Sequence, residues 1–190
     1  MNTTPPLSTE ELISTMRQGW EPKWAFFWGH TLSKDGSVTK SCFSQWWAGN
    51  AFTLEGITYP TAEHWMMAEK ARLFHDRKGL ANILTAKSPA VAKKLGRQVA
   101  GFEEEIWLRH RWEIVLRGNA AKFGQHPELK QFLLGTGDRI LVEASPYDRV
   151  WGIGLAATHA DAARPENWKG LNLLGFALME IRRQFQSPLS

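Results

Sequence analysis

The chain has 190 residues, of which 43% are hydrophobic and 22% charged, with a mean hydropathy of −0.34. This fits one globular domain of ~100–200 residues and excludes a disordered or collagen-like bulk. Lys and Arg number 23 against 19 Asp and Glu, a net charge of +4. The basic residues are scattered rather than gathered in a run, which disfavours a general nucleic-acid binder. The densest group, Lys87, Lys93, Lys94 and Arg97, reads as the solvated face of a helix or as the rim of a phosphate-attracting pocket. No apolar run approaches the ~18 residues of a membrane span, and Met1 to Pro6 lacks a basic-then-apolar leader pattern. The single cysteine, Cys42, excludes an internal disulfide and a cysteine metal cluster. The expectation is a soluble cytoplasmic protein whose core removes roughly 70% of the unfolded surface from water. Ten tryptophans, one residue in nineteen, are the unusual feature.

In chain order, a short helix is expected from Ser8 to Gln18, capped by Ser8 or Thr9. Trp24 to Trp47 is aromatic and β-favouring, broken by a hairpin-like turn at Ser33-Lys34-Asp35-Gly36. Ala51 to Tyr59 reads as a strand pair about Glu55-Gly56. Helices follow at Ala62–His75, Lys78–Ala86 and Pro89–Gly96, the last with Ser88 as cap and Pro89 at its first position. Ile106, Leu108, Trp112, Val115, Leu116 and Ala120 recur near the 3.6 period and predict a long helix over Glu103–Phe123. Gln125–Leu134 is another helix, Arg139–Ala144 a strand, Val150–Leu155 a glycine-rich segment, and Leu171–Gln186 a closing helix. Strands precede helices instead of alternating with them, so the fold class is α+β, predominantly helical, with a small antiparallel sheet near the N-terminal third. Residues 1–23 read as an extension with a short helix, and 24–186 as the domain proper.

Two stretches carry chemistry. In the first, Thr61 is placed to cap a helix, and Glu63 in its first turn is stabilised by the helix dipole by ~0.3–1 kcal/mol. Glu63, Met67, Lys70 and Phe74 also fall at i, i+4, i+7 and i+11, so a carboxylate and an amine share an otherwise apolar stripe, a candidate active-site pattern. His64, His75 and His110 lack metal-ligand spacing, and no metal site is expected. In the second, Gly152-Ile153-Gly154-Leu155-Ala156-Ala157 matches G-x-G-x-x-A, but no apolar strand precedes it and no acidic residue follows about 20 positions on, so the dinucleotide reading fails. What survives is a glycine-rich loop after Asp148 that lets a ligand approach the backbone, with Asp148 a site carboxylate or simply a turn residue. Trp28, Trp46, Trp47, Trp112, Trp151 and Trp168 are candidates to stack a base or sugar, worth ~1–3 kcal/mol per base; Trp20, Trp24 and Trp107 have only a packing rationale.

Pro60-Thr61-Ala62-Glu63-His64-Trp65, with Lys70 later on the same helix, resembles the signature of the NADAR (YbiA-like) family. Further elements follow in that family's order: Phe43-Ser44-Gln45-Trp46, Lys94-Leu95-Gly96-Arg97, Trp112-Glu113, Ala121-Lys122-Phe123, and Leu133-Leu134-Gly135-Thr136-Gly137-Asp138. Leu141-Val142-Glu143, Asp148 to Gly154 and Asn172-Leu173-Leu174-Gly175 complete the set. The resemblance runs from about Trp24 to Arg183. Departures are Gln45 for the commoner Asn, Met67 where some members have Gln, and Glu113 for Asp.

The resemblance implies an N-glycosidase that cleaves the bond between ribose and an amine-bearing heterocycle, such as ADP-ribosylated guanine or early phosphorylated riboflavin intermediates. Carried over by position, the catalytic candidates are Glu63, Asp148, Trp112 and Lys70. The substrate-binding candidates are Gln45, Trp46, Arg97, Lys122, Trp151, Gly152, Gly154 and Asn172, with Lys70, Arg97 and Lys122 as phosphate contacts. No cofactor is implied. Cleavage of a ribosyl C–N bond develops positive charge on the sugar and negative charge on the leaving nitrogen, which suits two carboxylates with different protonation tasks. A rival route uses Lys70 as nucleophile through a Schiff base. The competing class is a non-catalytic ADP-ribose or nucleotide-binding module with the same aromatic pocket. The expected partner is a phosphorylated ribosyl or ADP-ribosyl small molecule, or ADP-ribosylated nucleic acid, with no membrane.

Overall fold

The computed structural model describes residues 5–187; Met1 to Thr4, part of the stretch read for a leader, lie outside the described residues. The chain divides into two compact units: residues up to Gly29 together with those from Gln131 onward, and His30–Lys130. The fold is α+β, as expected.

In the first unit, α1 (Thr9–Arg17) starts where the Ser8 hydroxyl accepts the Glu11 N–H, and it buries Leu12. Strand β1 (Trp24–Phe27) pairs in parallel with β4 (Ile140–Glu143), in register Trp24 to Ile140 and Phe27 to Glu143. Ile140, Leu141 and Val142 are all buried, the continuous apolar pattern of a strand covered on both faces. Helix α7 (Leu173–Gln186) lies against β4. The run from Trp24 to Trp47 is therefore not the hairpin expected from its composition. Only its first four residues form a strand, and that strand's partner lies far along the chain. Ser33 to Gly36 does turn, with the Gly36 N–H donated to the Ser33 carbonyl. Beyond it the chain forms a 3-10 turn, Lys40–Phe43. β-Favouring side chains become strand only where a ladder partner is available.

In the second unit, β2 (Phe52–Leu54) and β3 (Ile57–Tyr59) form the expected antiparallel hairpin. Its two-residue turn puts Glu55 at φ 52° and Gly56 at φ 77°, the geometry that favours a glycine. Helix α2 (Ala62–Leu73) follows, then α3 (Arg77–Leu84), α4 (Pro89–Gly96) and α5 (Glu104–Gln125); α6 (Pro127–Leu134) comes next in sequence. Thr61, Asp76 and Ser88 accept backbone N–H bonds at the starts of α2, α3 and α4. Asp76 also accepts the Ala100 N–H, and these two backbone bonds hold its carboxyl below the ordinary range.

Helix α2 is the centre of this unit, packed on α3, α4 and α5. Every residue from Ala62 to Ala68 is buried. Two glycines permit that enclosure. A Cβ at Gly118 of α5 would overlap the Trp65 indole, and one at Gly96 of α4 would overlap Met67. Trp65 is fully buried and donates its indole N–H to the Ile114 carbonyl at 2.7 Å, so its ring is a packing wedge between α2 and α5. Gly118→Ala is predicted to lower unfolding free energy by about 1–3 kcal/mol, because the indole must leave its position; urea denaturation of the two proteins measures this.

Candidate active site

The approach to Glu63 begins on α5. Val115, Asn119 and Lys122 lie at i, i+4 and i+7, one face of that helix, and all three are buried. Lys122, with 0% exposure, donates from Nζ to the Cys42 carbonyl at 2.6 Å and the Ser44 carbonyl at 2.9 Å. Asn119 donates from Nδ2 to Gln45 Oε1 at 2.7 Å and to the Val115 carbonyl at 3.0 Å. The loop so held, Cys42 to Gln45, meets the first turn of α2, where the Glu63 N–H donates to the Gln45 carbonyl at 2.9 Å. Glu63 is 2% exposed. His64 beside it joins Thr61 Oγ1 through Nδ1 at 2.7 Å and the Ala86 carbonyl through Nε2 at 3.1 Å. Burial pulls its pKa down, outweighing the Ala86 bond, which raises it. The neutral ring satisfies this arrangement, with Thr61 donating to Nδ1 and Nε2–H donating to Ala86.

Lys70 lies two turns beyond Glu63 on the same stripe. It is half-buried, with Nζ 3.9 Å from the centre of the Phe102 ring and 5.6 Å from that of Trp107. Among the described residues it forms no ion pair, and desolvation lowers its pKa. The sequence alone gives Trp107 only a packing role and does not single out Phe102, because both reach Lys70 from outside its own helix. Trp112 is half-buried on α5, about 140° round the helix from Trp107, and the rings that face the Lys70 ammonium are the earlier pair.

Trp46 is half-buried, with the His30 ring 5.4 Å away and Lys93 Nζ 5.8 Å from its own centroid. Lys93, read from sequence as part of a solvated face or pocket rim, thus sits by an expected base-stacking residue. Arg97 is exposed at the C-terminus of α4. Gln45 directs its side chain inward, to Asn119 and to Met66 Sδ at 4.0 Å, and Lys122 is likewise engaged with backbone carbonyls.

The remaining candidates belong to the first unit. Asp148 is half-buried in the loop after β4, and its Oδ1 accepts the Val150 and Trp151 N–H groups at 2.9 and 2.8 Å. Among the described residues its Oδ2 accepts no hydrogen bond, so the turn orients the carboxylate and leaves one oxygen available. Gly152 and Gly154 serve close approach of the chain to itself. A Cβ at Gly152 would lie 2.8 Å from the Glu143 carbonyl, and Gly154, at φ 68°, packs against Lys169 and Arg149. Trp151 is half-buried. Asn172, at φ 53°, clamps β4 by donating to the Leu141 carbonyl and accepting the Glu143 N–H. Glu63, Lys70, Gln45, Trp46, Arg97, Trp112 and Lys122 are therefore gathered in one unit, and Asp148, Trp151, Gly152, Gly154 and Asn172 in the other. Among the described residues no group of three or more His, Cys, Asp or Glu is placed to hold a metal.

The NADAR domain family model matches residues 26–186. The chain belongs to the NADAR family. Within it, the protein is 41% identical to N-glycosidase R617 of Acanthamoeba polyphaga mimivirus, over 86% of this chain and 97% of that one. It is 35% identical to N-glycosidase YbiA of Escherichia coli K12, over 69% and 73% of the two chains. A further relative, the chloroplastic riboflavin biosynthesis protein PYRR of Zea mays, is 34% identical over 67% of this chain, which spans 20% of that protein. The NMR structure of E. coli YbiA superposes with a TM-score of 0.69 at 30% identity, covering 87% of this chain and 86% of that one. This NADAR domain thus places its Glu63 motif on a helix enclosed by its neighbours.

The Lys122 amine has a measurable consequence. Burial pushes its pKa down to about 7, with a smaller opposing effect from Cys42. The same burial pushes the Cys42 thiol up to about 12. An unfolded lysine titrates near 10.4, so between pH 7 and 10 the unfolded chain binds the extra proton. Stability contributed by Lys122 therefore rises with pH in that window, by at most ~1.4 kcal/mol per unit, and is lost as pH falls towards 7. Cys42 opposes it above about pH 9. Urea denaturation at pH 7 and pH 9 is predicted to show this gain in the wild type and its absence in Lys122→Met.

Proposed function

We propose that the N-glycosyl bond this enzyme hydrolyses joins a ribose, carrying a phosphate or an ADP-ribose, to an amine-bearing heterocyclic base. ADP-ribosylated guanine and the early ribosylamino-pyrimidine phosphates of riboflavin synthesis are the two substrate types in view. The enzyme class rests on relatives named N-glycosidase at 41% and 35% identity; a riboflavin biosynthesis protein among the relatives supports the second substrate type. We place the reaction in the cytoplasm, in keeping with the single cysteine, Cys42. No helix among the described residues is long and apolar enough to cross a membrane.

The observation that carries the chemistry is the α2 stripe, with Glu63 buried at the helix start and Lys70 two turns on among Phe102 and Trp107. As the C–N bond breaks, the electron pair leaves with the base nitrogen and the ribose ring becomes cationic. Glu63 is proposed to stabilise that cation or to activate the water that adds to C1. Asp148, whose Oδ1 is fixed by its turn, is proposed as the second carboxylate, so that one of the two delivers a proton to the base and the other serves the sugar. A second route starts from Lys70, whose charged form is disfavoured by burial. A neutral amine adds to C1 of the ring-opened sugar, the base departs, and water then hydrolyses the imine.

The test is incubation with both substrate types and detection of the released base by mass spectrometry. Glu63→Gln is predicted to reduce turnover at least a hundredfold in a folded protein, with a loss for Asp148→Asn as well. Full turnover in both variants would sink the carboxylate roles. Borohydride added during turnover separates the routes: a reduced sugar adduct on Lys70 demonstrates the imine, and its absence with undiminished Lys70→Met turnover excludes it. Binding of ADP-ribose without base release from either substrate would instead mark a binding module.

A further inference from the structure

We infer that Lys122 is a positioning residue for Glu63, acting through the Cys42–Gln45 loop and not through substrate. The inference rests on the reading of Glu63 as a catalytic carboxylate. A lysine is almost never fully buried unless its nitrogen is partnered, and here the partners are the carbonyls of Cys42 and Ser44, at 2.6 and 2.9 Å. A 3-10 turn cannot continue past Phe43, because Ser44 turns extended, at φ −64° and ψ 142°. The Cys42 carbonyl therefore requires a donor from outside the turn, and the Ser44 carbonyl, which accepts the Trp47 N–H at 3.2 Å, has a lone pair left for a second one. Lys122 supplies both from α5, and Asn119, one turn earlier, fixes the Gln45 amide. With Ser44 and Gln45 both held, the Gln45 carbonyl stands where it accepts the Glu63 N–H.

That last bond links the loop to catalysis. The N–H groups of a helix's first turn have no partner within the helix. Thr61 takes that of His64, and the Gln45 carbonyl takes that of Glu63. The loop thus sets both the backbone position of Glu63 and the seat of Trp46, whose N–H donates to Ser44 Oγ at 3.1 Å. Nζ is enclosed, so a phosphate would have to displace the loop to reach it.

The test follows amide hydrogen exchange by NMR and steady-state base release in the full chain, for wild type, Lys122→Met and Lys122→Gln. Substrates are ADP-ribosylated guanosine and a ribosylamino-pyrimidine phosphate. Methionine keeps the apolar stem and removes the donors; glutamine restores an NH2 group on a shorter arm. The expected result for Lys122→Met is a Glu63 amide exchanging at least tenfold faster while amides of α3 and α4 keep wild-type rates. With it, kcat falls at least tenfold, KM changes less than threefold, and Lys122→Gln recovers part of the loss. Unchanged Glu63 exchange, or equal acceleration of all amides, overturns the assignment. A tenfold rise in KM at constant kcat also overturns it, since that marks a substrate contact. If the wild type releases no base, the functional reading fails and exchange alone decides: selective acceleration at Glu63 upholds the positioning role, and its absence overturns it. Should Lys122→Met not fold, Lys122→Gln carries the same comparison.

Discussion

The unit that carries Glu63 depends on one buried amine. Removing an ammonium from water is costly unless its protons find acceptors, and the Lys122 nitrogen is met by two backbone carbonyls. The Cys42 carbonyl, at the end of a 3-10 turn, has the complementary need, since a buried carbonyl without a donor costs roughly 1–3 kcal/mol, and the Ser44 carbonyl accepts the amine beside the Trp47 N–H. Each side therefore satisfies the other. A neutral amine retains two N–H groups, so both bonds survive loss of the proton, in keeping with a pKa pushed down to about 7. The loop fixed in this way carries Gln45, and Gln45 anchors the first turn of α2.

From that anchor the rest of the site follows by helix geometry. A helix enclosed by three others has few ways to shift, and α2 is buried continuously from Ala62 to Ala68. Its closeness to α4 and α5 depends on glycines at the two contact points, Gly96 and Gly118. The stripe bearing Glu63 then carries Lys70 about 10 Å further along the axis, into surroundings made by Phe102 and Trp107. An acid and an amine thus share one rigid element, Glu63 buried at its start and Lys70 half-buried further on, where desolvation lowers the pKa of the amine. The opposite face of α2 has a surface network instead. Arg72 bonds Glu69 and Tyr59, and Arg117 of α5 pairs with Glu69 at 3.6 Å and with Glu55 of the hairpin turn.

Local rules were legible in the sequence and long-range ones were not. Caps at Thr61 and Ser88, the Glu55-Gly56 turn and the bounds of α4 follow from interactions within a few residues, and they appear where chemistry places them. The parallel pairing of β1 with β4 joins segments far apart in the chain, so aromatic composition alone suggested a hairpin that does not form. The site divides in the same way. The Glu63–Lys70 stripe could be read from spacing because one helix carries it. Trp107 beside Lys70 could not, because that contact is made between helices. Lys122 and Gln45 were expected at a ligand, yet both face inward, since a lysine's role depends on which carbonyls lie within reach. A signal was present nonetheless: Asn119 and Lys122 interrupt the apolar stripe of α5 at i+4 and i+7 from Val115, and polar groups on a buried face require polar partners.

The central claim is that this NADAR domain uses its enclosed carboxylate to hydrolyse an N-glycosyl bond. It is tested most directly by running wild type and Glu63→Gln in oxygen-18 water and recording early mass spectra of base and sugar together, with undiminished release by the variant contradicting the carboxylate role. The account predicts free base and, for each base released, one heavy oxygen on the sugar. Sugar without the label, or no release of base from either substrate type, would contradict it.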